Sequence, residues 1–205
     1  SVQLDDGRWL SAALLIGADG ANSKVRQHSK VETKEWSYHQ EAIVATIETQ
    51  HSNQQTAWQC FTPKGPLALL PLTERRSALI WSVPDDQIDA RMAMSDREFM
   101  QLLEVEFGTR LGPLVKVGER ASYPLSLMLV RDQVRPGVVL LGNSAHALHP
   151  VAGQGFNLII RDLLCLAQSI EQCLDDDGSL LSLEWLSEYH HKRQLDQWLT
   201  TSFSH

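Results

Sequence analysis

The sequence predicts a mixed α/β fold in which a ligand-binding layer with parallel strands is interrupted by an antiparallel sheet. Three observations carry this reading. Val138-Val139-Leu140-Leu141 is a β-branched and leucine run without alternation, the pattern of a strand buried on both faces, and it stops at Gly142, where side chains turn small and polar. A Gly153-Gln154-Gly155 turn then opens a helical pattern in which Ile159, Leu163, Leu166, Ile170 and Leu174 recur at helical steps. Between an early short apolar stretch, Leu14-Leu15-Ile16-Gly17, and this late one, the texture from about Trp36 to Tyr123 is that of short strands.

Taken in order, Ser1 to Leu10 reads as a hairpin turned at Asp6-Gly7. Leu14–Gly17 is a short buried strand that ends in the turn Ala18-Asp19-Gly20, with Asn22 and Ser23 as helix-cap candidates. Ala42–Glu48, Ala57–Phe61, Pro66–Leu72 and Ser77–Val83 follow as antiparallel strands separated by polar or Pro/Gly breaks. Ser95-Asp96-Arg97-Glu98 is a capping-box pattern. The helix after it presents Phe99, Leu102, Leu103 and Phe107 on one face and stops at Gly108. Tyr123-Pro124-Leu125 begins the return to the first layer. After Gly178, Leu183, Leu186, Tyr189, Leu195 and Leu199 suggest a last helix, on which His190-His191-Lys192-Arg193 reads as a solvated basic face. The division expected from these textures is 1–33 and 131–205 for the ligand-binding layer and 34–130 for the inserted sheet.

Composition narrows the function classes. With 205 residues, 43% hydrophobic and 21% charged, the chain is globular material for one domain or two small ones. A net charge of −7 argues against nucleic-acid binding, and no apolar run reaches membrane-spanning length. Cys60, Cys165 and Cys173 lack metal or redox spacing; their odd number suggests free thiols in a reducing compartment. Asp175-Asp176-Asp177-Gly178 reads as a solvated loop. His146 and His149 read as packing or hydrogen-bonding groups, so no metal site is expected. No serine sits in a nucleophile-elbow setting, which leaves a hydrolase without support. Strand, small-residue turn and helix start together make an anion site, because glycines let the backbone approach a ligand and unpaired N–H groups point at it.

The stretch from Gly142 to Asn157 resembles the second FAD-binding motif of the flavoprotein aromatic hydroxylases, the para-hydroxybenzoate hydroxylase-like family. Gly17-Ala18-Asp19-Gly20-Ala21-Asn22-Ser23-Lys24-Val25-Arg26 resembles the same family's motif shared between FAD and reduced nicotinamide. The segments Trp36–Tyr38, Phe61–Leu72 and Leu148–Leu158 are similar to the ubiquinone-biosynthesis branch, of 2-octaprenyl-6-methoxyphenol hydroxylase type. The resemblance implies a partial FAD-binding Rossmann-like domain with an inserted antiparallel-sheet substrate domain. It implies cofactor contacts from Asp19, Gly20, Arg26, Gly142, Asn143, Pro150, Gly153, Gln154, Gly155, Phe156 and Asn157; Arg26 offers a fixed fork for phosphate, or alternatively pairs with an acidic neighbour. Two positions depart from the pattern: Asn143 stands at the acidic ribose position, and Ile159 where a small residue is usual.

The implied activity is ring hydroxylation of a polyprenylated phenol, with NAD(P)H as co-substrate and oxygen activated as a hydroperoxide at the flavin C4a carbon. The alternatives are a related flavin hydroxylase of a soluble aromatic substrate and a non-catalytic scaffold or assembly subunit of the same fold. A cytoplasmic location is expected, with room for peripheral contact with the inner membrane, a quinone-biosynthesis complex or an oligomer. The resemblance does not reach the family's Gly-x-Gly-x-x-Gly turn, so the chain reads as a fragment expected to bind FAD weakly or not at all.

Overall fold

The computed structural model describes residues 1–148, 154–175 and 182–204. The elements begin with β1 (Val2–Gln3), β2 (Trp9–Leu10), β3 (Leu15–Gly17), α1 (Lys24–His28) and β4 (Thr33–Thr49). Then come β5 (Trp58–Thr62), β6 (Gly65–Thr73), β7 (Arg76–Pro84), α2 (Asp85–Met92), α3 (Asp96–Phe107), β8 (Leu114–Val117) and β9 (Ala121–Val130). The last are β10 (Val134–Arg135), β11 (Val138–Leu140), a 3-10 turn at Gly142–Ser144, β12 (His146–Ala147), α4 (Gln154–Asp175) and α5 (Leu183–Ser204). The chain divides into two units, Ser1–Trp36 with Ser126–His205, and Ser37–Leu125.

In the first unit β11 pairs antiparallel with β10 and parallel with β3, in the register Val138↔Leu15, Val139↔Ile16 and Leu140↔Gly17. Parallel neighbours cannot be joined by a hairpin, so the long stretch between them is the crossover. β11 is buried on both sides, as its unbroken apolar run requires. Val139 and Leu141 pack with Leu166 of α4 and Leu186 and Tyr189 of α5, while Leu140 packs with Val31 and Ala145. The opening hairpin forms by β1–β2 pairing, with Leu4 N donating to Arg8 O at 2.8 Å across the turn.

Both long helices correct the expected faces. On α4 the inward positions are Leu158, Asp162, Leu166, Ser169 and Cys173, while Leu163 and Leu174 are exposed. The buried stripe is rotated by about one residue from the leucine pattern because a carboxylate takes a core position. On α5 Leu186 and Tyr189 are buried as expected, but Leu195 and Leu199 face outward and Arg193 and Thr201 face inward. Arg193 is therefore no part of a solvated basic face; His191 and Lys192 are exposed.

The second unit is an antiparallel sheet in the order β9-β4-β7-β6-β5, with β8 also pairing β4. Period-two alternation puts Ile43 and Ile47, Leu67 and Leu69, and Leu79, Trp81 and Val83 on one face, in register (Ile43↔Trp81, Leu67↔Trp81). Helices α2 and α3 contribute Ile88, Phe99, Leu103 and Phe107 to this core. The rings of Trp81 and Phe99 meet edge to face at 5.7 Å. The capping box at the start of α3 is present in full, and Gly108 closes the helix.

The sequence pattern missed α2 and more than half of β4. Asp85–Met92 has only Ile88 and Arg91 buried, so it carries no apolar stripe; Arg91 instead lays its guanidinium over the Trp81 ring at 4.3 Å. β4 runs through exposed Lys34 and Glu35, which gave no strand signal.

Trp81 is 1% exposed at the centre of this core. Trp81→Ala is expected to lower the unfolding free energy by about 3–5 kcal/mol. Urea denaturation with an unchanged slope checks this.

Candidate functional site

The loops carrying both sequence motifs leave the carboxyl ends of neighbouring parallel strands. β3 ends at Gly17 and β11 at Leu140, paired to each other, so the segments after them start side by side. In open α/β sheets that end is where ligands bind. Gly17 has no room for a side chain: a Cβ there would lie 2.8 Å from Leu140 Cδ2 and 2.8 Å from Val25 Cγ1. Its absence lets α1 and β11 close on the strand end.

Three contacts bind the loops together. Leu141 N donates to Gly17 O at 2.9 Å. The buried Ser144 hydroxyl contacts Gly17 O and also Leu141 O at 2.6 Å. Arg26 Nη1 donates to Ser144 O at 3.0 Å, and its Nη2 donates to Ala21 O at 2.5 Å. Arg26 is buried, and both terminal nitrogens hold backbone carbonyls. It is a tie between the loops, a role different from the free phosphate fork expected of it.

Asp19 also serves its own loop. Its carboxylate accepts from Lys24 N at 2.7 Å, Val25 N at 3.2 Å and the Ser23 hydroxyl, while Ser23 Oγ caps the helix by accepting from Arg26 N at 3.0 Å. Burial would raise the Asp19 carboxyl, but the hydrogen bond from Ser23 and those from the α1 backbone hold it below the usual carboxylate range. Gly20, at φ +84°, makes the turn that brings Asp19 back over α1.

On the second loop Gly142 sits at φ +64°, and a Cβ there would lie 3.5 Å from Ile159 Cδ1. Ile159, the departure from the small residue expected, therefore fills space beside Gly142 and seats α4 against the turn. Asn143 is exposed, its amide free to meet a ligand hydroxyl. At the start of α4, Gln154, Phe156 and Asn157 are exposed and Gly155 is half-buried, 3.9 Å (from its would-be Cβ) below Leu148. Pro150, Gly153 and His149 lie outside the described residues, as does the loop from Asp176 to Gly178.

FAD is the group these residues are implied to hold, and the donor set fits part of it. An exposed amide, turns with room for close approach and the first turn of a 22-residue helix converge at one strand end. Among the described residues, no group of three or more His, Cys, Asp or Glu side chains could hold a metal ion. Cys60, Cys165 and Cys173 are free thiols.

Sequence reasoning missed the polar cluster beneath the turn. Asp162 Oδ1 accepts from Arg193 Nε at 2.6 Å, and Oδ2 accepts from His146 Nε2 at 2.7 Å and Gln197 Nε2 at 3.0 Å. Arg193 also pairs with Asp196, which Arg161 Nε reaches at 2.8 Å. Burial alone would raise the Asp162 carboxyl, but the bonds from His146 and Arg193 outweigh it and hold it below the usual range. Burial likewise pushes the Tyr189 phenol up, with Asp162 adding to the shift. A lone Asp among leucines on α4 was the available signal.

The fold and the paired loops define a flavin-binding class, and the chain belongs to the family described as FAD binding domain, which matches residues 2–204. Among curated relatives it is 34% identical to the mitochondrial ubiquinone biosynthesis monooxygenase COQ6 of Xenopus tropicalis, over 94% of this chain and 49% of that protein. It is 38% identical to ubiquinone hydroxylase UbiL of Rhodospirillum rubrum, over 97% of this chain and 46% of that one. It is 32% identical to the 3-demethoxyubiquinol 3-hydroxylase of Escherichia coli, over 98% and 51%. The chain thus spans about half the length of these relatives. The fold is shared with PqsL, a probable FAD-dependent monooxygenase from Pseudomonas aeruginosa (TM-score 0.70, 22% identity, 99% of this chain and 57% of that one).

Arg193→Met removes one partner of a buried pair and is expected to lower the unfolding free energy by about 3–5 kcal/mol at neutral pH. Because the folded-state value of Asp162 is depressed, its stabilisation is complete above the unfolded carboxyl value of about 3.9 and is lost as pH falls through the lower folded value. The gap between native and variant, read from denaturation curves, should narrow in that acid range.

Proposed function

We propose that the full-length protein is a FAD-dependent hydroxylase of aromatic rings, acting on a polyprenylated phenol in ubiquinone biosynthesis with NAD(P)H and oxygen. The observation that carries this reading is the joining of two polar loops at the carboxyl ends of parallel β3 and β11, in a chain 32% to 38% identical to hydroxylases named for that pathway. Bound FAD supplies hydride acceptance and oxygen activation, chemistry that no side chain here possesses.

The chain's own residues bind and orient. Asn143 hydrogen-bonds a ribose hydroxyl, with less strength than a carboxylate would give. Gly142 and Gly155 let the backbone approach the cofactor. Phe156 shields it from water, and Asn157 with the start of α4 places partial positive charge beside it. Asp19 and Gly20 shape the neighbouring wall, and Arg26 keeps the two walls in register. The strand-rich unit Ser37–Leu125 is the part that recognises the substrate. Among the described residues no helix is long and apolar enough to cross a membrane. A polyprenyl substrate is met by peripheral contact with its bilayer.

The purified full-length protein is expected to be yellow, to oxidise reduced nicotinamide faster when a prenylphenol is added, and to yield a product heavier by one oxygen atom. A colourless protein that FAD does not reconstitute would contradict the reading. In the same protein Asn143→Asp is expected to tighten FAD binding about fivefold, the difference between a neutral and a charged hydrogen bond of about 1 kcal/mol. Quenching of flavin fluorescence measures it.

A further inference from the structure

Asp162 is completely buried in the first unit, and hydrogen bonds link its carboxylate, directly to one side and through two amides to the other, to residues flanking the turn at Gly142–Ser144. The end after the turn is His146, the first residue of β12, whose Nε2 lies 2.7 Å from Asp162 Oδ2. A carboxylate only accepts, so Nε2 carries the proton. Nδ1 of the same ring is buried without a hydrogen-bond partner among the described residues, so among these the ring has this one anchor. The end before the turn is Leu140, reached through two amides. Gln197 Nε2 bonds Asp162 Oδ2 at 3.0 Å and Gln133 Oε1 at 2.8 Å, and Gln133 Nε2 donates to Leu140 O at 2.7 Å. Arg193 fixes the other oxygen at 2.6 Å.

The cluster is a poor way to gain stability. Buried ion pairs are often matched or exceeded by apolar residues of similar volume. Yet α5 directs Arg193 inward while Leu195 and Trp198 stay exposed, which forgoes apolar burial in order to keep the carboxylate company. What the polar arrangement supplies and an apolar one would not is direction: each bond has one donor, one acceptor and one geometry.

We propose that Asp162 is a positioning residue for the turn Gly142–Ser144, clamping it from both sides so that Asn143 and the backbone N–H groups keep the orientation a flavin nucleotide needs. Its purpose rests on the reading of that turn as cofactor-facing; the clamp itself is tested without cofactor. Asp162 touches no ligand. It acts through His146 on one side and through Gln197 and Gln133 on the other. Arg193 holds the charge in place.

Amide hydrogen exchange on this chain and on Asp162→Leu and Asp162→Asn tests the clamp. In both variants the Ala145 amide, which donates to Gly142 O at 2.9 Å, should exchange about tenfold faster or more, while amides around Leu166 in α4 stay within about twofold. If either variant fails to fold, Gln197→Met cuts only the arm to Leu140 and should selectively speed the Leu141 amide, which bonds Gly17 O. A purely structural role would speed exchange at the turn and in α4 together; that result, or no change at the turn, overturns the proposal. A positive exchange result in a protein whose full-length form takes up no FAD would leave the clamp standing and remove the flavin reading.

Discussion

The parallel pairing of β3 with β11 is the constraint on which the site depends. It sets Gly17 against Leu140, and from that one register the two loops that follow begin as neighbours. Arg26 and Ser144 are 118 positions apart in the chain, yet the guanidinium of one holds the carbonyl of the other. Such a contact needs a strand order that no local preference dictates. The missing Cβ at Gly17 is its local condition, since any side chain there would push β11 and α1 away.

The two departures from the family pattern have different physical weight. Ile159 packs beside Gly142 and so joins helix to turn within the core. Asn143 stays exposed at the end of the strand, where an amide has the shape of a carboxylate without its charge. One departure changes how the turn is supported; the other leaves a neutral amide where the family pattern has a charge.

Much of the fold was legible because its signals are local. Alternation in Leu79, Trp81 and Val83 needs only the strand period, and the Ser95–Glu98 capping box needs only a single turn of helix. The motif loops were legible for the same reason, as were Asp19 and Asn143 at strand ends. Partnerships were not legible. Asp162 and Arg193 lie 31 residues apart on separate helices, and each was masked by its setting, Asp162 among leucines and Arg193 in a basic run. Arg26 looked like a phosphate ligand because its burial and its carbonyl partners are tertiary facts. α2 stayed hidden because an arginine stacked on Trp81 does the work of an apolar stripe.

In the function proposed above, the loops after β3 and β11 form one binding surface for one nucleotide. Titrating the isotopically labelled chain with FAD and following backbone amides by nuclear magnetic resonance addresses it directly, because weak binding is readily seen that way. Ala18–Ser23, Gly142–Ala145 and Gln154–Asn157 are expected to shift together along a single binding curve. Shifts confined to one loop, separate curves for the two, or a response centred on the strand-rich unit would contradict it.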